Sequence, residues 1–270
     1  MKPLLLAIGC LIMMVTNAQF VNSPMPFKQS DFKSIKAGGY TRCSVYEVSG
    51  DEKIFVKYAE YGFAGMVASM SERGTNAEGD SINTSSIYYK FDDKGRLVHE
   101  TTEGSEGDDD SYPTAYYYDA KGKLVRKIEA HIDPPTYNYK YDATGKLKEI
   151  VVTLRLAVFN DSTNEMGKAN DVPWDKYLVK CNAAGQVIEK TEYNLRSEDK
   201  APVAKYAWQY NAAGNIIKYT YKSLIGEDLY IIDYTYNQGG LLIKSKETKT
   251  DEPDKILVYE YCKSCKQNWK

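Results

Sequence analysis

Histidine is almost missing from this chain: His99 and His131 are the two in 270 residues. No Gly-x-Ser-x-Gly, no His-Glu-x-x-His and no glycine loop that would cradle a phosphate ahead of a helix occurs. Hydrolysis needs a nucleophile oriented by a base, or a set of metal ligands, so the sequence nominates no catalytic residue, no metal site and no cofactor site. His99 follows one strand pattern in a slot held elsewhere by Arg126, Glu149, Glu189, Lys218 and Lys244, which marks it as a surface strand residue. A basic block is absent too. The 35 Lys and Arg are interspersed with 37 Asp and Glu, which leaves nucleic acid without an electrostatic footprint.

Long apolar runs are also missing, apart from residues 4–15. At about a dozen residues that run is shorter than a membrane-spanning helix needs. Lys2 precedes it and Thr16-Asn17-Ala18 follows, so residues 1–18 read as an export signal cleaved before Gln19. Cys10 lies inside the apolar stretch, too early for a lipoprotein box. Removing the signal takes away one Lys and leaves a net charge of −3.

Phenylalanine is scarce, with 7 residues, whereas tyrosine is abundant, with 24. A ring with a wet hydroxyl suits strands that lie half in solvent. The tyrosines are not scattered. Six segments share one template: aromatic, any, aromatic, Asp or Asn, two residues, Gly, any, aliphatic. They begin at Tyr89, Tyr116, Tyr139, Val179, Trp208 and Tyr234, and their glycines are Gly95, Gly122, Gly145, Gly185, Gly214 and Gly240. The fourth is degenerate, with Val179 and Cys181 in the aromatic positions.

The template describes a hairpin. Asp or Asn opens a type I turn and Gly takes the positive-φ position after it, giving a three-residue loop with a glycine bulge. Closing the turn pairs Asp119 with Lys123, sets Tyr118 against Leu124 and Tyr117 against Val125, and likewise pairs Phe91 with Leu97, Tyr141 with Leu147, Tyr210 with Ile216 and Tyr236 with Leu242. Intervening positions hold Lys90, Lys140, Lys180, Gln209 and Thr235, so one face is apolar and the other wetter. The expected fold is all-β: tandem antiparallel β-hairpin repeats forming one extended, twisted or curled sheet. After the signal, residues 19–84 are expected as an irregular N-terminal β region and loop, and residues 85–270 as the repeat array with a degenerate C-terminal cap. Residues 43–61 alternate as a strand pair around Ser49-Gly50-Asp51-Glu52, and any helix falls near residues 28–36. Residues 71–83 and 102–112 read as exposed loops, and residues 159–174 as a loop or short excursion.

Over roughly residues 85–262 the pattern resembles the YD repeat of the Rhs family, found in bacterial surface and secreted proteins. The resemblance implies curling β-sheets and an extracytoplasmic setting, whether periplasmic, cell-surface or extracellular. It does not imply toxin activity: the repeats are too few to enclose a cargo, and nothing after residue 245 resembles the family's core. Choline-binding cell-wall repeats are a second likeness, but their Gly-Trp starts are missing here.

Tyr116, Tyr139, Trp208 and Tyr234, in the first aromatic position of the template, are the candidate ligand-binding residues. A row of aromatics can stack on sugar rings while neighbouring charges take the hydroxyls; the plainer reading is that they pack as the core face or the edge of the sheet. The acidic run from Glu103 to Ser111 lacks the alternating spacing of a calcium loop and reads as a solvated connection. At the C-terminus, Tyr259 and Tyr261 fill the aromatic positions, Cys262 the Asp position and Cys265 the Gly position, a seventh repeat that stops at its turn. Turn ends and disulfide Cα atoms both lie within about 7 Å, so Cys262 and Cys265 are the disulfide candidate. Pairing with Cys43 or Cys181, unpaired thiols, a zinc site and a redox dithiol stay open.

The reading that results is an exported, non-enzymatic binding or scaffold module, contacting a carbohydrate or cell-wall polymer or another exported protein. The rivals are a glycan-active hydrolase with carboxylates carried on loops, and an adaptor or immunity protein for a neighbouring toxin.

Overall fold

The computed structural model describes residues 29–62, 66–75, 81–104, 112–129, 134–156, 159–160, 165–166 and 169–263. The export signal, His131, Cys265 and most of the acidic run lie outside the described residues.

One helix, α1 (Gln29–Gly38), precedes the strands β1 (Arg42–Ser49), β2 (Glu52–Tyr61), β3 (Val67–Thr75), β4 (Ser81–Phe91), β5 (Leu97–Gly104) and β6 (Tyr112–Tyr118). Next come β7 (Leu124–Ile128), β8 (Thr136–Tyr141), β9 (Leu147–Leu156), β10 (Phe159–Asn160), β11 (Glu165–Met166) and β12 (Asn170–Cys181). The chain ends with β13 (Val187–Asn194), β14 (Pro202–Tyr210), β15 (Ile216–Ser223), β16 (Leu229–Tyr236), β17 (Leu242–Lys249) and β18 (Lys255–Cys262). Residues 71–75 and 81–83, expected as loop, belong to β3 and β4, and residues 102–104 and 112 to β5 and β6.

The template builds each turn as its chemistry requires. Asp119 Oδ1 accepts from the N–H groups of Lys121 and Lys123 at 2.9 and 2.8 Å, and the Asp119 N–H donates to the Lys123 carbonyl at 2.9 Å. Asp92 and Asp142 repeat the pattern, and Asn182, Asn211 and Asn237 each accept from the N–H four residues on. The six template glycines have φ between 74° and 84°, where an L side chain is strained. Tyr118 pairs with Leu124 as expected, but Tyr117 pairs with Arg126 rather than Val125. A bulge next to the turn leaves Val125 without a cross-strand partner, a shift shared by the other template hairpins.

Successive hairpins are tied by the second aromatic of the template. The Tyr118 hydroxyl donates to the Leu97 carbonyl of the preceding hairpin at 2.7 Å, Tyr141 to Leu124 at 2.7 Å, Tyr210 to Val187 at 2.7 Å and Tyr261 to Leu242 at 3.0 Å. Cys181, in the same slot, sets its Sγ 3.4 Å from the Leu147 carbonyl. A second row runs the other way: Lys123 reaches the Gly145 carbonyl at 3.2 Å, Lys146 that of Asn182 at 3.0 Å, and Gln186 that of Gly214 at 3.1 Å. These ties explain why the template favours Tyr over Phe.

The expected open or curled sheet does not form; the wall closes into an antiparallel barrel of sixteen strands. Going round from β1, the order is β18, β17, β16, β15, β14, β13, β12, β9, β8, β7, β6, β5, β4, β3 and β2, which pairs back to β1. β10 and β11 pair only with each other, as a small excursion. Two features of the N-terminal region cause the closure. Ala59-Glu60-Tyr61-Gly62, followed by Gly65 and Val67, is an overlooked template repeat with Ala and Gly in two key slots: Tyr61 pairs with Val67 across a register shift, and the Gly62 N–H donates to the Met66 carbonyl at 2.8 Å. The second is β1, which pairs with β18 at the other end of the chain. Seven pairs run from Arg42 with Cys262 to Val48 with Ile256, and Cys43 faces Tyr261 where other repeats place an aliphatic residue. Unpaired edges invite pairing, and here each terminal edge satisfies the other. α1 lies against the turn end of the wall: Ser34 donates to the Gly239 carbonyl at 2.8 Å, Tyr40 packs on Tyr261, and Ile35 is buried.

The hydroxyl ties are testable singly. Tyr118→Phe and Tyr141→Phe are each expected to lower unfolding free energy by about 1 kcal/mol, the net value of one hydrogen bond. Urea unfolding of each variant measures it; wild-type midpoints in both would remove the ties from the account.

Candidate functional site

Two rows of inward side chains sit next to each other along the barrel axis. The row near the template turns is apolar and closed. Tyr116, Tyr139, Trp208 and Tyr234, the four residues nominated for sugar stacking, lie in it at 6–7% exposure, among Leu97, Leu124, Leu147, Ile150 and Val187. Their rings therefore present no open face to solvent. A circular barrel of sixteen strands can hold a water-filled lumen, and rings lining one would be wet; at this level the described side chains close the interior themselves.

One pleat further from the turns, the inner wall becomes polar. Tyr177 pairs with Ile150 on one side and Glu192 on the other, Lys190 pairs with Val179 and Tyr206, and Tyr206 pairs with Tyr221, so all face inward together. The Tyr206 hydroxyl donates to Glu192. Tyr116 donates to Glu100 at 2.9 Å and Tyr137 to Glu129 at 3.3 Å, while Lys127 pairs with Glu129. The Lys190 ammonium lies 4.3 Å from the Tyr177 ring centre and 4.0 Å from that of Tyr206. Burial lowers its pKa to about 8, against the pull of the Glu192 charge. Asp175, one pleat further still, pairs with Asn194 and Val152. Partial burial, and then the charge of Glu192, raise its carboxyl above the ordinary aspartate value, with Arg196 opposing. Arg196 in turn covers the Trp174 ring at 3.1 Å.

The sequence missed this group. Its one signal was that Lys190 and Glu192 on β13, and Asp175 on β12, break the apolar-aromatic inward face of those strands further from the turns.

The outer wall is charged. Lys140 pairs with Glu149 at 2.6 Å, Lys180 with Glu189 at 2.6 Å and Lys218 with Asp233 at 3.6 Å, and Lys90, His99, Arg126 and Lys244 are exposed. His99 thus stands where the sequence put it, outward beside Lys90 and Ala115. A lipid-facing barrel needs an apolar band about 25 Å tall, and Lys or Arg in it costs about 2–4 kcal/mol at the midplane. Ile188, Ile217 and Ile243 do face outward at 36–38% exposure, but they alternate with these charges. Among the described residues, no helix is long and apolar enough to cross a membrane, and none of their His, Cys, Asp and Glu side chains gather as a metal-binding group. Cys43 and Cys181 are free thiols. Of the disulfide candidate, Cys262 ends β18 and Cys265 lies outside the described residues.

No family model and no curated protein matches the chain. Among solved structures, a porin-like protein from Bacteroides uniformis ATCC 8492 is 9% identical over 82% of this chain and 96% of its own, with a TM-score of 0.47. A porin-like protein from Bacteroides vulgatus ATCC 8482 is 10% identical over 83% of this chain and 98% of its own, with a TM-score of 0.31. The complex TcdB2-TccC3-Cdc42 is 13% identical over 79% of this chain and 15% of that one, with a TM-score of 0.22. At these scores none of the likenesses assigns a function.

The buried hydroxyls set a pH limit. Burial raises the pKa of Tyr116, Tyr137, Tyr139, Tyr141, Tyr177, Tyr206, Tyr210, Tyr230 and Tyr234, and pushes Tyr219 and Tyr259 up to about 12. In the unfolded chain these groups ionise near pH 10, so their contribution to stability is complete below that pH and is lost above it. Lys190 acts oppositely: its cost is full below about pH 8 and fades toward 10.5, the ordinary lysine value. Many tyrosines outweigh one lysine. The thermal midpoint is expected to hold between pH 8 and about 9.5 and to fall steeply from pH 10 to 12; a flat profile through pH 12 would contradict the buried tyrosine network.

Proposed function

We propose that the protein is an exported, non-enzymatic β-barrel that works in water as a binding module for a carbohydrate or cell-wall polymer. The observation that carries this reading is the two-sidedness of the wall: charged pairs face outward at successive repeats, and aromatic and hydrogen-bonded polar side chains face inward. A wall of that polarity is stable in water without lipid, and the export signal read in residues 1–18 supports an extracytoplasmic setting. The tyrosines and carboxylates of the inner wall support a polyhydroxylated ligand, because rings stack on sugar faces and carboxylates accept from hydroxyls.

One observation favours a second reading as a glycan hydrolase: Asp175 is raised by burial and by Glu192, as a general acid beside a second carboxylate would be. These acids are on strands, not on loops as the sequence suggested. One experiment separates the two. Mature chain purified without detergent is expected to sediment with insoluble peptidoglycan or chitin and to release no reducing sugar. Release abolished by Asp175→Asn would favour the hydrolase; failure to sediment with either polymer would remove the carbohydrate reading.

A further inference from the structure

We infer that the inner wall at the end away from the template turns is a binding cup for a neutral saccharide, formed by Asp175, Tyr177, Glu192, Tyr206 and Tyr221 above a floor that includes Lys190. The inference rests on the binding reading above and gives it a location. Three observations converge. The first is shape. Val179, Lys190 and Trp208 are buried, at 8%, 3% and 7% exposure, whereas Asp175, Tyr177, Glu192, Tyr206 and Tyr221, further from the turns on the same face, are all part-exposed. Exposure thus rises along the inner face toward the loop end, from a buried floor to part-exposed walls.

The second is composition. An apolar side chain would fill a barrel interior at lower cost than a buried ammonium and two carboxylates, so their presence is not explained by stability. The charges also balance: Asp175 and Glu192 face Lys190 and Arg196, which gives neither an anion nor a cation an advantage. A neutral ligand with many hydroxyls suits such a wall, donating to the carboxylates and accepting from tyrosine hydroxyls. The third is the arrangement of rings. Tyr177 and Tyr206 meet edge to face at 6.5 Å between centroids, and Tyr206 and Tyr221 are tilted at 5.3 Å. The three rings come from β12, β14 and β15 and are held by each other, by Lys190 and by Glu192, so their orientation is fixed before a ligand arrives.

Calorimetric titration of the mature protein with chitotetraose, cellotetraose and maltotetraose tests the site. At least one tetrasaccharide should bind saturably to the wild type, and Tyr206→Ala should weaken it tenfold or more. Glu192→Gln, nearly isosteric, guards against an unfolded alanine variant and should also weaken binding. Tyr117→Ala, on the outer wall, should leave it unchanged. Undiminished binding in both inner-wall variants, or loss on Tyr117→Ala, would move the site elsewhere. Absence of binding by any of the three probes would end the inference, and if the polymer still sediments the chain, the general reading survives without this site.

Discussion

A tyrosine hydroxyl donated to the backbone carbonyl that opens the return strand of the hairpin before it, formed by Tyr118, Tyr141, Tyr210 and Tyr261, is the interaction on which the wall depends. A β-hairpin alone is marginal in water. Stacking hairpins side by side supplies ladder hydrogen bonds, but ladders alone leave register weakly specified. The tyrosine tie removes that freedom, because its donor and acceptor meet only in one register. It also sets the inner face: the ring must lie along the wall to reach the carbonyl, where it packs on the aliphatic residue of the neighbouring repeat. Cys181 shows how much the geometry is constrained, since even the degenerate repeat aims a sulfur at the same carbonyl.

Much of the fold was legible because the turn chemistry is local. Asp or Asn, then Gly three residues on, dictates loop length and the first pair beyond the turn without reference to the rest of the chain, while the register shift that puts Tyr117 against Arg126 was not read from it. Closure was not legible, because it depends on two segments that violate the template. Ala59 and Gly62 replace the aromatic and the Asp of the first repeat, which hid the hairpin that joins β2 to β3, although β2 itself was legible as half of the strand pair over residues 43–61. β18 takes β1 as its partner, and β1 lies more than 200 residues away in sequence. Edge satisfaction joins them, and no local pattern announces that.

The candidate site was less legible than the fold. Aromatics before a turn are the visible feature, and their visibility drew attention to Tyr116, Tyr139, Trp208 and Tyr234, which the barrel buries. The residues that stay reachable are one or two pleats further from the turns, where strands lengthen and the template no longer applies. There the inward positions alternate among Tyr, Glu, Lys and Asp. Only the barrel's curvature turns them toward one another, and a flat sheet would have left them as an ordinary solvated face.

Closure of the wall by β1 and β18 is the central claim, and one cross-link tests it most directly. Ser44 and Glu260 are Cα partners across that seam. In a closed barrel, Ser44→Cys with Glu260→Cys should form an intramolecular disulfide in dilute monomer on mild oxidation, identified by mass spectrometry as a linkage between peptides from the two ends of the chain. Oxidised protein that yields only intermolecular dimers, or two free thiols at these positions, would mean that the sheet is open and that the seam does not exist.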